Sequence, residues 1–136
     1  RQGTLTEKLG DICRFLKKTV PGYDWVGFYL VDLTKERELI LGPFDGEPTE
    51  HVRIPFGRGI CGQAAESEKV LIVEDVSKNI NYLSCGIKVK SEIVLPIWKE
   101  KKIVAELDID SHTASAFDAN DQAFLEQVCD IVSRII

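Results

Sequence analysis

Apolar residues recur at three- and four-residue intervals near the start of the chain, at Leu5, Leu9, Ile12, Cys13, Leu16 and Val20, the repeat of one helix face. Thr4 and Glu7 have the spacing of a capping box, and Pro21-Gly22 ends the predicted helix. Trp25 to Asp32 is dense in aromatic and β-branched residues, and Glu38 to Leu41 follows a short polar turn, so the two read as a hairpin. A third strand is predicted over His51 to Pro55. Gly57-Arg58-Gly59-Ile60-Cys61-Gly62 then breaks the strand pattern, and Gln63 to Ser67 suits a short helix. Val70 to Val76 reads as a buried strand, and Ser77 to Lys90 as an irregular polar segment containing Cys85. Ser91 to Trp98 and Ile103 to Asp110 flank a charged turn as a second hairpin. Asp118 caps a closing helix whose apolar face is Phe124, Leu125, Val128, Val132, Ile135 and Ile136. Antiparallel strands with helices at the two chain ends predict an α/β (α+β) domain in which a sheet of about six strands is covered by helices on one face.

A length of 136 residues with 44% apolar content fits one domain, residues 1–136. The 22 acidic and 17 basic residues are dispersed, and no basic block could track a phosphate backbone, which argues against nucleic acid as a partner. No apolar run approaches the roughly 20 residues of a membrane span, so a cytoplasmic location is expected. The four cysteines, at 13, 61, 85 and 129, have neither zinc-site doublets nor the density of a disulfide scaffold.

Chemistry enters with the last strand. Alternation places Ile103, Ala105, Leu107 and Ile109 on one face and Glu106, Asp108 and Asp110 on the other, with Glu92 of the partner strand able to join the acids. Two arrangements satisfy this pattern: acids facing solvent from a half-exposed sheet, or acids converging on a cationic ligand that offsets their repulsion. The two histidines are far apart in sequence and no loop has a calcium-site pattern, so no metal site is predicted. Cys13 and Cys129 fall on or beside the apolar helix faces and read as small buried hydrophobes. Cys61 and Cys85 lie in irregular segments, where they are either incidental or face a cleft. The start of a short helix at Cys61, and Lys88 and Lys90 near Cys85, favour thiolates.

The blocks Asp24-Trp25-Val26-Gly27-Phe28-Tyr29-Leu30, Leu41-Gly42-Pro43-Phe44, Arg53 to Gly62, Ser91-Glu92-Ile93-Val94-Leu95-Pro96 and Leu107-Asp108-Ile109-Asp110-Ser111 together resemble the GAF-domain free methionine-(R)-sulfoxide reductases over nearly the whole chain. The resemblance implies a GAF fold with a ligand pocket on the sheet face opposite the terminal helices. It places the catalytic cysteine at Cys85, a second cysteine at Cys61, substrate-contacting acids at Glu92, Asp108 and Asp110, and aromatic pocket residues at Trp25 and Tyr29. Two departures stand out: His51 replaces the family's recycling cysteine, and Asn81-Tyr82-Leu83-Ser84-Cys85-Gly86 replaces its Gly-His-Ile-Ala-Cys-Asp block. The implied reaction has Cys85 attack the sulfoxide sulfur while Glu92 or Asp110 donates a proton. Cys61 is the internal candidate for resolving the resulting sulfenic acid, and thioredoxin or another thiol, rather than a bound cofactor, supplies the electrons. The alternative is a non-catalytic GAF module that senses a small ligand, and a homodimer through the helical ends is compatible with either.

Overall fold

The computed structural model describes residues 3–32, 34–35, 37–78 and 88–136. Its elements run α1 (Leu5–Thr19), β1 (Trp25–Val31), β2 (Glu38–Asp45), β3 (Arg53–Pro55), α2 (Gly59–Ser67), β4 (Leu71–Val73), a 3₁₀ turn (Val76–Lys78), β5 (Ser91–Lys99), β6 (Lys102–Ser111) and α3 (Ala119–Ser133). The strands form one six-stranded sheet in the order β3-β2-β1-β6-β5-β4, and every neighbouring pair is antiparallel.

Local chemistry fixes both long helices. The Thr4 hydroxyl accepts from the Glu7 amide and the Glu7 carboxylate accepts from the Thr4 amide, each at 3.1 Å, closing the expected capping box of α1. The Asp118 carboxylate accepts from the amides of Asn120 and Asp121 at 2.9 and 3.0 Å and so starts α3. Leu9, Cys13 and Leu16 of α1 and Leu125, Cys129 and Val132 of α3 pack on the face formed by Val26, Phe28, Ile93, Leu95, Ile97, Leu107 and Ile109. Burying each of the larger of these side chains contributes about 1.5–3 kcal/mol. Cys13 and Cys129 thus sit in the apolar layer, as their positions on the helices predict, and burial leads the causes that push both thiols up to about 12.

The opposite sheet face is covered by α2, whose Ile60, Cys61, Ala64 and Ala65 join Trp25, Tyr29, Leu39, Ile54, Val76 and Val94 in a second core. A Cβ on Gly62 would lie 2.5 Å from the Pro55 carbonyl oxygen, so only glycine lets α2 approach β3 this closely.

Three strand boundaries differ from expectation. β2 continues to Asp45 rather than stopping at Leu41, because a bulge between Gly27 and Tyr29 absorbs Gly42-Pro43. Pro43 costs no ladder bond to β3, which pairs only with Glu38 to Ile40. β3 begins at Arg53 rather than His51. β4 spans only Leu71–Val73, not Val70 to Val76, since Asp75 turns the chain by accepting from the Ser77 amide at 3.0 Å and its hydroxyl at 2.6 Å. The β5–β6 hairpin closes at Glu100 and Lys101, whose φ values of 52° and 68° are those of a two-residue turn matched to sheet twist.

Candidate active site

Register aligns the acids in rows across the sheet. Trp25 of β1 lies opposite Asp110 of β6, which lies opposite Glu92 of β5, itself opposite Val73 of β4. The next row is Phe44, Gly27, Asp108, Val94 and Leu71, and the next sets Tyr29, Glu106 and Pro96 side by side. Three consecutive acids of β6 therefore share one face with Glu92, beneath α2. The solvent-facing arrangement is ruled out by burial: Glu106, Asp108 and Asp110 are 0% exposed and Glu92 is 3% exposed.

Cys61 closes this cluster from above. It is the third residue of α2, and its Sγ lies 4.0 Å from Glu92 Oε2. One donor atom from each of Cys61, Glu92 and Asp108 lies within 4.8 Å of the others. The expectation of a thiolate at Cys61 is overturned. Burial, followed by the charges of Asp108, Glu92, Glu106 and Asp110, pushes its thiol well above the usual range, and the partial charge of one helix start is small against these effects.

Glu106 and Asp108 shift in the same direction. Burial, then the Asp108 charge, holds Glu106 well above the usual range. Burial also raises Asp108, with interactions to Glu92 and Cys61 opposing it. Leaving such groups ionised without compensation costs several kcal/mol each, so the site retains protons or takes in a cation. Both consequences are chemically useful: a cation is bound tightly, and a retained carboxyl proton is available to a departing oxygen.

Aromatic residues form the side wall. Trp25 is 4% exposed and stacks on Phe44 with ring centroids 5.3 Å apart and planes inclined by 16°. Its Nε1 donates to the Glu47 carbonyl at 2.9 Å, which fixes the indole plane. Gly27 makes room for the ring: a Cβ there would lie 2.4 Å from Trp25 Cη2 and 2.8 Å from Phe44 Cβ. Tyr29 is fully buried and its hydroxyl donates to the His51 carbonyl at 2.9 Å. A small crevice of about 30 Å³ beside Trp25 and Asp110 is rimmed by Asp24, Glu47, Lys88, Val89 and His112.

Six of the seven site residues expected from the sequence, Trp25, Tyr29, Cys61, Glu92, Asp108 and Asp110, thus meet on one side of the sheet. The seventh, Cys85, lies outside the described residues, as does the segment Asn81 to Gly86 around it. Glu106 belongs to the same constellation, although it was not counted among the expected site residues. Its signal was the same alternation that grouped Asp108 and Asp110.

A family profile described as GAF domain matches residues 3–136. The chain belongs to the GAF-domain family. Among curated relatives of this GAF domain, the free methionine-R-sulfoxide reductase of Escherichia coli is 34% identical over 94% of this chain and 75% of its own length. GAF domain-containing protein A of Dictyostelium discoideum is 41% identical, over 98% of this chain and 85% of its own. Among solved structures, free methionine-R-sulfoxide reductase from Neisseria meningitidis in complex with its substrate superimposes with a TM-score of 0.91 at 36% identity, covering 97% of this chain and 77% of that one. The GAF domain's relatives therefore include free methionine-R-sulfoxide reductases in both sequence and structure. Among its described residues, no helix is long and apolar enough to cross a membrane.

Proposed function

We propose that the chain, acting as a single GAF domain over residues 1–136, reduces free L-methionine-(R)-sulfoxide to L-methionine. The observation that carries this reading is the buried cluster of Glu92, Asp108 and Asp110 beside the fixed indole of Trp25. A free amino acid brings an ammonium group, and buried carboxylates hold a cation through short charge-assisted hydrogen bonds. A peptide-bound methionine sulfoxide has no such group, so the acids select the free amino acid. Trp25 and Tyr29 supply the apolar surface against the S-methyl end.

In the proposed reaction the Cys85 thiolate attacks the sulfoxide sulfur, and Glu92 or Asp110 delivers a proton to the departing oxygen. The oxygen, released as water, then bonds to the Cys85 sulfur and loses a proton as the S–S bond just formed breaks with its electron pair going to the substrate sulfur, leaving methionine and a sulfenic acid on Cys85. A second thiol then displaces water from that sulfenic acid and forms a disulfide, which thioredoxin or another dithiol reduces. Cys61 is the internal resolving thiol in this scheme. Its raised pKa makes it a slow nucleophile unless a neighbouring carboxylate takes its proton. With His51 in place of the family's recycling cysteine, direct resolution by the external reductant is the competing route.

The test is to incubate the protein and dithiothreitol with each epimer of free methionine sulfoxide and follow methionine formation. Turnover of the R epimer alone, abolished by Cys85→Ser, supports the proposal. Amino-acid binding without turnover sinks the catalytic reading in favour of a sensory module. The proposed quaternary partner is a second copy, through the α1–α3 face where Phe15, Phe124 and Ile131 are 62%, 41% and 56% exposed around Ile12 and Val128. A contiguous apolar face of this kind is self-complementary in a two-fold dimer.

A further inference from the structure

The geometry points to a metal site in the same buried cluster: Cys61, Glu92 and Asp108 together form a three-ligand seat for a borderline-soft divalent cation of the zinc class. An ammonium explains the carboxylates but not the thiol set among them, nor the full extent of the negative charge. Cys61 Sγ, a Glu92 oxygen and an Asp108 oxygen lie within 4.8 Å of one another, and all three residues are buried. Zinc bonds of about 2.3 Å to sulfur and about 2.0–2.2 Å to oxygen require tetrahedral donors roughly 3.3–3.6 Å apart. The Sγ to Oε2 separation is 4.0 Å and no pair of the three donors exceeds 4.8 Å, so side-chain adjustments that close gaps of about 0.4–1.5 Å bring the set into reach.

Glu106 is the independent sign that the cluster expects a cation. It is 0% exposed, and neither of its carboxyl oxygens has a hydrogen-bond partner among the described residues. It projects from the same strand face as Asp108, two residues away, and its charge reaches both Asp108 and Cys61. Buried polar groups are almost always satisfied, and one that is not calls for an unplaced partner. A monovalent ammonium offsets one charge in a cluster of four carboxyls and a thiol, whereas a divalent cation offsets two and binds sulfur as well. Glu106, two residues along β6 from Asp108 but outside the 4.8 Å set, is the acid that would meet a metal-bound water.

The thiol decides the class of ion. Calcium and magnesium take oxygen donors, and larger numbers of them, while a compact site with one sulfur and two carboxylates suits zinc or cobalt. Binding breaks the Cys61 S–H bond and forms a metal–sulfur bond. That proton, with any still held on Glu92 or Asp108, leaves for solvent. A metal seated there occupies the acids proposed to grip an amino acid's ammonium, so the two ligands exclude each other. The metal site itself does not depend on turnover.

Cobalt(II) titration of the reduced full chain tests the inference, with Cys85→Ser as the parent so that Cys85 cannot contribute. One equivalent is expected to bind, to produce a thiolate-to-cobalt charge-transfer band, to release protons and to be displaced by zinc. Adding Cys61→Ser is expected to abolish the band. Asp108→Asn and Glu92→Gln are expected to weaken binding by at least the about 10–100-fold that loss of even an outer-shell partner costs. Circular dichroism identifies variants that retain the fold, and the two isosteric carboxyl changes keep the test decisive should the serine variant unfold. Absence of a stoichiometric band in the folded parent, or a band that survives Cys61→Ser, overturns the site. L-methionine, which carries no reducible oxygen, is expected to displace the cobalt. If the Cys61-dependent band forms and methionine does not displace it, the metal site stands and the amino-acid reading of the pocket fails.

Discussion

Glu106 offers a severe test of the buried acid cluster, because its carboxyl has no hydrogen-bond partner among the described residues and no exposed surface. The perturbation is Glu106→Leu, which removes the carboxyl and keeps most of the volume. The pH dependence follows from the raised folded-state pKa, caused first by burial and then by Asp108. Below about pH 3 the group is protonated in both folded and unfolded chains. Above about pH 4.3, the ordinary glutamate value, the unfolded chain releases its proton while the folded one keeps it. Stability of the wild type therefore falls as pH rises, by up to about 1.4 kcal/mol per pH unit for this group, until the folded pKa is reached.

Leucine abolishes that penalty; in the nearest measured case, replacing buried ion pairs by apolar groups of similar volume, the change is neutral or stabilising by up to about 1–4 kcal/mol. At pH 8 the variant is expected to melt higher by about 3–12 °C, taking roughly 3 °C per kcal/mol for a domain of this size. At pH 5 the gain shrinks towards the smaller benefit of removing a neutral unsatisfied carboxyl. Urea denaturation of both proteins at the two pH values, with equal m-values, measures the effect. A variant no more stable than wild type at pH 8, or a gain that does not grow between pH 5 and pH 8, refutes the reasoning.

Gly27→Ala is expected to cost about 1–3 kcal/mol and to displace the indole of Trp25, because the new Cβ would sit 2.4 Å from Cη2; an altered tryptophan emission maximum reports it. Cys13, Cys61 and Cys129 are all buried, with thiols raised by burial, so none is expected to react with a disulfide reagent at pH 8 until the chain unfolds. Mass spectrometry of the partly labelled native protein checks this, and modification of Cys61 at the rate of an exposed thiol would contradict the electrostatics described. Asp118→Ala removes the acceptor for two amides of α3 and is expected to cost about 0.5–2 kcal/mol in urea denaturation. Phe15→Glu, on the exposed α1–α3 face, is expected to leave a monomer by light scattering while preserving the melting profile; an unchanged oligomeric state removes that face from consideration.

Much of the architecture is written locally. The intervals from Leu5 to Val20, the pairing of Thr4 with Glu7 and the cap at Asp118 depend on neighbours within one turn, and helices form where those neighbours say. Strand alternation alone placed Glu106, Asp108 and Asp110 on one face, since a pleated strand leaves no other choice. The extent of β4 was less legible: apolar residues run from Val70 to Val73 and return at Val76, and the turn at Asp75 ends the pairing at Val73.

What tertiary structure alone decided is the meaning of that acidic face. Whether the acids met water or one another depended on register, which set Glu92 opposite Asp110, and on α2 descending over them with Cys61. The thiol shows the difference plainly. Its own helix start favours a thiolate, while four carboxyls drawn from two strands, together with burial, favour the protonated form and prevail. Electrostatic energy depends on distance through space and on exclusion of water, and neither quantity is contained in the spacing of residues along a chain.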